Sequence, residues 1–208
     1  MTRSTHCGVL TVVVATLTAH MACVRDAAPV LPLEAGVSWA LDELRARTLS
    51  DIRYSYRLRV PPALEMPLEG TLVARFQWLD AEANDLVLDF KDPAARIREV
   101  RVNGAPVEWN ARHDHVVVPA GALTSGDRNR VDIEFVAGDE ALNRNEDFLY
   151  TLFVPDRAHY SLPLFDQPNL KARFSLTLEV PDGWVAVANG SVTEETVVNA
   201  TGGAEQAR

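Results

Sequence analysis

Five histidines, two cysteines and twenty-nine carboxylates are the groups in this chain best suited to bind a metal or move protons. A hydrolytic zinc site carried on a helix is written H-E-x-x-H, because residues four apart put both imidazoles on one helix face with a glutamate beside them. His6, His20, His113, His115 and His159 do not form that pattern. His113 and His115 flank Asp114, and residues two apart on a strand point the same way. The pair could chelate an ion if further ligands came from elsewhere, but the simpler reading is a solvated turn leading into Val116–Val118. Asp156, His159 and Ser161 stand close together, yet a nucleophilic triad is defined by geometry and a strained nucleophile, not by closeness in sequence. No G-x-S-x-G elbow accompanies them, and a turn of surface residues accounts for all three. Asp139-Glu140 and Glu146-Asp147 could do acid–base work if buried together, but they lie in the polar stretch 137–147 and read as a solvated face. Cys7 and Cys23 both lie near the N-terminus. The rest of the chain is therefore without thiolate chemistry, cysteine zinc ligands or disulfides. No catalytic, cofactor-binding or metal-binding residue is assigned.

The elements that would have to position such groups are mostly strands. Ser38 is a plausible N-cap for one short helix, Trp39 to Thr48, with Leu41 and Leu44 on one face. From Asp51 the period changes to two. Ile52, Tyr54, Tyr56, Leu58 and Val60 alternate with polar residues, and so do Leu72, Ala74, Phe76 and Trp78. Further strands are expected at 85–90, 96–102, 107–109, 116–118, 131–136, 149–154, 172–180, 184–188 and 192–198. Asn103-Gly104 and Asn189-Gly190 serve as turns. Residues 137–147 read as a loop, and 199–208 as a patternless tail. This spacing predicts an all-β fold, a β-sandwich or saddle-like pair of sheets with one short N-terminal helix, as a single domain over 37–198.

The flanks and the charge set the company this domain keeps. Gly8 to Ala19 is apolar, bounded by small residues, and too short to span a bilayer. Residues 1–23 are therefore expected to be a signal peptide and 24–36 a linker, so the protein is exported, to a bacterial periplasm or cell envelope. Processing after Ala19, after Ala22 or just before Cys23 all fit the pattern. The last would make Cys23 a lipid-modified first residue, the one route to a membrane. A formal net charge of −9 argues against nucleic acid as a partner.

One longer stretch is more specific. Leu149 to Ala172 resembles the signature near the end of the N-terminal domain of the zinc-dependent aminopeptidase N family. There an Ala-Arg pair is followed by F-P-x-F-D-[EQ]-P-x-x-K-A. Pro163, Phe165, Asp166, Gln167, Pro168, Lys171 and Ala172 match it. Trp184 to Gly190 is similar to the family's following strand and N-G turn. The Gly36-Val37-Ser38 opening and Asp51 to Tyr54 are similar to one bacterial branch. The resemblance covers roughly residues 36–195. It implies a β-rich N-terminal domain packed on a thermolysin-like catalytic domain, which would supply H-E-x-x-H, a later glutamate, zinc and a G-x-M-E-N loop for the amine of a peptide substrate.

Neither motif occurs in this chain, so the expectation is a truncated form, inactive alone, with zinc only in a full-length homologue. Many members write T-Q-x-E-P where this chain has Thr151-Leu152-Phe153-Val154-Pro155. The positions that would anchor the substrate's ammonium group fall on apolar Leu152 and Val154. The segment from Asp166 to Pro168 also has a structural reading: Pro168 keeps Gln167 out of the helical region, and Asp166 can cap the turn before the next strand. The alternative is a cell-envelope interaction module without peptidase activity.

Overall fold

The computed structural model describes residues 33–79, 84–198 and 204–206. The proposed signal peptide and most of the proposed linker lie outside the described residues. The elements are α1 (Trp39–Thr48), β1 (Leu49–Arg59), β2 (Glu69–Trp78), β3 (Leu86–Asp89), α2 (Pro93–Arg96), β4 (Ile97–Val102), β5 (Ala105–Pro106), β6 (Asn110–Arg112), β7 (His115–Val118), β8 (Asp127–Val136), β9 (Leu142–Arg144), β10 (Leu149–Thr151), β11 (Arg173–Glu179), β12 (Thr196–Val198) and β13 (Ala204–Gln206).

Helix α1 starts where expected. The Ser38 side chain accepts from the Leu41 N–H at 3.2 Å, which satisfies one of the donors that a helix start leaves free. The large sheet has the order β11-β1-β2-β8-β4-β5, with β1 and β11 parallel and the other pairs antiparallel. Its inner face carries the alternating residues foreseen on β1 and β2, with Val131, Ile133 and Phe135 from β8. Near its start β1 bulges at Asp51, whose φ of 48° places it in the left-handed region. An aspartate tolerates that geometry better than most residues. Arg53 and Arg128 hold its carboxylate from the exposed side.

A second sheet, β3-β7-β6, covers the first. All four residues of β3 and all four of β7 are buried, because this sheet is packed on both faces. Leu86, Leu88, Val116 and Val118 join the main core. Val87 and Val117 face the other way, onto Leu33, Leu41 and Leu44. The apolar face of α1 thus forms a third layer, and the end of the proposed linker is packed down beside it.

Several expectations fail locally. Residues 107–109 are not a strand; the hairpin at Asn103-Gly104, with both φ angles positive, returns through β5 instead. The stretch 137–147 is not all loop, since β9 pairs with β10. Residues 184–188 are not a strand, and Val185 and Val187 are exposed. Only Thr196–Val198 of the expected 192–198 strand forms, and it pairs with β13 in the stretch read as patternless.

Candidate functional site

None of the weighed catalytic groupings assembles. His113 is exposed in a turn with φ 51°. His115 starts β7, fully buried, so the two do not converge on an ion. Among the described residues no group of three His, Cys, Asp or Glu side chains is placed to hold a metal. Asp156 is exposed, whereas His159 and Ser161 are buried rather than surface residues. His159 Nδ1 lies 2.8 Å from Asp166 Oδ2, and the Ser161 hydroxyl donates to the Gly138 carbonyl at 2.8 Å, so Ser161 is bound as a brace and not presented as a nucleophile. The acidic pairs stay at the surface as foreseen, with Asp139 bonded to Arg144 and Glu140 to Lys91.

The polar centre of the molecule is Asp89. It is 1% exposed and points from β3 toward α1, on the same side as Val87. Arg45 reaches it from α1 with two hydrogen bonds, at 2.7 and 2.8 Å. This is the forked geometry a guanidinium offers a carboxylate. Arg45 also donates to the Val87 carbonyl at 2.7 Å and to Gln167 Oε1, and its guanidinium lies over the Phe165 ring at 5.2 Å. His115 stands opposite Asp89 in the β3–β7 register. Its Nδ1 is 2.9 Å from Asp89 Oδ1 and its Nε2 is 2.8 Å from the Glu34 carbonyl. Both ring nitrogens are thus engaged inside the domain.

The segment 163–167 closes over this centre. The Asp166 N–H donates to Asp89 Oδ2 at 2.8 Å. Asp89 and Leu164 exchange backbone bonds of 2.7 and 3.1 Å. The Tyr56 hydroxyl donates to the Pro163 carbonyl at 2.7 Å, and the Tyr54 hydroxyl accepts the Phe165 N–H at 3.0 Å. Burial is the main reason both phenols are held well above the ordinary tyrosine range. Asp166 turns outward to His159, whose N–H and ring both meet its Oδ2. Residues 163–167 of the signature are therefore a clasp that ties α1, β1 and β3 together around Asp89, with His115 of β7 bonded to the same carboxylate.

Burial pushes the Asp89 carboxyl up. The Arg45 charge, the bonds from His115 and Arg45, and the Asp166 N–H outweigh that push and hold it well below the usual carboxylate range. In the unfolded chain the same carboxyl titrates near 3.8. Stability from this depressed group is thus complete above that value and lost as pH falls toward the folded one. Between about pH 5 and about pH 2.5 Asp89 is expected to give up about 1–2 kcal/mol. Urea unfolding across that range should show a shallower pH dependence in Asp89→Asn than in the parent by that amount; equal slopes would contradict it.

The sequence reading missed Arg45, Asp89 and the burial of His115. The cues were a lone acid in the run Leu86-Val87-Leu88-Asp89-Phe90 and a lone arginine four residues after Leu41, on the apolar face of α1.

Comparison with known proteins places this arrangement. A family model described as the peptidase M1 N-terminal domain matches residues 52–203. Aminopeptidase N of Streptomyces lividans is 32% identical over 111 residues, 49% of this chain and 13% of that protein. Leucyl aminopeptidase of Saccharolobus solfataricus is 24% identical over 133 residues, 60% of this chain and 16% of that protein. The chain thus spans a small part of the length of these curated relatives. In fold it is similar to the crystal structure of an M1 zinc metallopeptidase from Deinococcus radiodurans, with a TM-score of 0.58 at 22% identity over 74% of this chain and 37% of that one.

Proposed function

This chain belongs to the peptidase M1 N-terminal domain family, and on that premise we propose that it is the non-catalytic β module of an exported zinc aminopeptidase. The enzyme would remove N-terminal residues from peptides with chemistry supplied by residues outside this chain. The observation that carries the reading is the clasp. Residues 163–167 of the signature that marks the family bond to Asp89, Arg45, Tyr54 and Tyr56 inside the domain, and so serve to shape it.

The described histidines do not suit a zinc site. Both ring nitrogens of His115 are taken by Asp89 and Glu34, His159 Nδ1 is taken by Asp166, and His113 stands alone in its turn. The zinc-binding partner domain would pack elsewhere. Support comes from the exposed row Phe148, Tyr150, Leu152 and Val154, the last 71% exposed, with the first two rings 5.9 Å apart. A contiguous apolar row of this kind marks a surface meant to be covered. Leu152 and Val154 offer no acceptor for an ammonium group, so the partner domain would anchor the substrate's amino terminus. Export rests on the apolar run Gly8 to Ala19.

The test is aminoacyl-anilide hydrolysis by the full chain with added zinc. No turnover above buffer is expected, and chelator-sensitive turnover would overturn the reading.

A further inference from the structure

Among the described residues β11 forms an open edge of the six-stranded sheet. It runs parallel to β1, from Arg53 opposite Arg173 to Arg59 opposite Glu179. The Val60 N–H donates to the Glu179 carbonyl at 2.8 Å, so the backbone groups of the odd-numbered residues face β1. Those of Phe174, Leu176 and Leu178 therefore point outward, since the direction alternates along a strand. Phe174 is 54% and Leu176 36% exposed. Phe174 stacks on Tyr56 at 5.0 Å, so this exposed row continues the aromatic face of the core.

The strand is self-complementary. Read in both directions from Leu176, Phe174 meets Leu178, Ser175 meets Thr177 and Arg173 meets Glu179. Apolar thus faces apolar, hydroxyl faces hydroxyl, and cation faces anion. Glu179 already accepts from Arg57 and Arg59, and Arg173 is exposed, free to join that cluster from a neighbour.

We propose that two copies of this chain associate through β11, antiparallel about a two-fold axis at Leu176, joining their large sheets into one continuous sheet. Residue 176 would face its own copy as a hydrogen-bonded pair, flanked by the 174–178 pairs, which use the outward N–H and C=O groups that an edge strand leaves unpaired. The same patch is used on both sides, so the pair closes. The opposite end of the sheet is β5, two residues including Pro106, which cannot continue the addition.

Sedimentation of the full chain at micromolar concentration tests this. The parent is expected to be a dimer, and Leu176→Lys, which places two ammonium groups at the axis, a folded monomer by circular dichroism. Register is tested separately in a Cys7→Ser, Cys23→Ser background. Chains carrying Ser175→Cys and chains carrying Thr177→Cys should cross-link on oxidation when mixed, because non-hydrogen-bonded partners sit about 4.5 Å apart, within disulfide reach. Neither variant should cross-link alone. A monomeric parent, a Leu176→Lys dimer, equal cross-linking without mixing, or a spread of larger assemblies would each overturn the proposal.

Discussion

Replacing Asp89 by alanine is expected to lower the unfolding free energy by about 3–5 kcal/mol, read as a fall in the urea midpoint at neutral pH. The side chain of Asp89 is acceptor to Arg45, His115 and the Asp166 N–H at once. Its removal leaves a buried guanidinium without its counter-charge and strands two further donors. That loss exceeds the net value of the ion pair itself, because the expensive state is the unpaired buried charge. Removing both sides together, as in Arg45→Met with Asp89→Leu, is therefore expected to cost less than Asp89→Ala alone. A loss below about 1 kcal/mol for Asp89→Ala, in the range of an exposed pair, would show that the clasp contributes little.

Gly138→Ala is expected to lower the thermal midpoint by about 5–10 °C, corresponding to roughly 2–3 kcal/mol of overpacking in a chain of this size. A methyl group there would sit 2.0 Å from the Tyr160 carbonyl oxygen and 2.5 Å from Arg96 Nη1. The first obstacle is backbone and cannot rotate away. It belongs to the tight turn 158–162, which is tied back to the same glycine through Ser161. Relief would mean displacing the turn that presents His159 to Asp166. Gly121→Ala is the control: nothing lies within 4 Å of a methyl group at that position, and its midpoint should move by less than about 2 °C.

Most of the framework was readable because burial on one face of a strand writes itself as alternation. The residues on β1 and β2 that alternate in sequence are those that are buried, and the Ser38 cap and α1 lie where the pattern puts them. The misses have a common cause. β3 and β7 are covered on both faces, which removes alternation and leaves apolar runs. Asp89 then passed unremarked inside an expected strand and His115 read as part of a turn, when both are at the centre of the molecule. What distinguishes them is a contact with α1, which lies far off in sequence. β9 and β13, the partners of β10 and β12, escaped because three residues give no period to detect. The stretch 184–188 alternated by composition alone, and most of it is exposed.

The family resemblance located the right segment, yet its role is visible only in three dimensions. Sequence matching marked Pro163, Phe165, Asp166 and Gln167 as a signature. The structure shows what each one does: the Pro163 carbonyl takes the Tyr56 hydroxyl, the Phe165 N–H reaches Tyr54, the Asp166 N–H caps Asp89, and the Gln167 side chain accepts from Arg45. His159 and Ser161, which looked like candidates for chemistry, brace the same turn.

The most direct measurement is amide hydrogen exchange at Leu164, Phe165 and Asp166 in the native chain. If this stretch is locked onto the Asp89 centre, its amides exchange only with global unfolding, as slowly as those of β2 and β8. Exchange at the rate of an open surface loop, while β2 and β8 remain protected, would mean that the segment is free to do something other than hold the domain together.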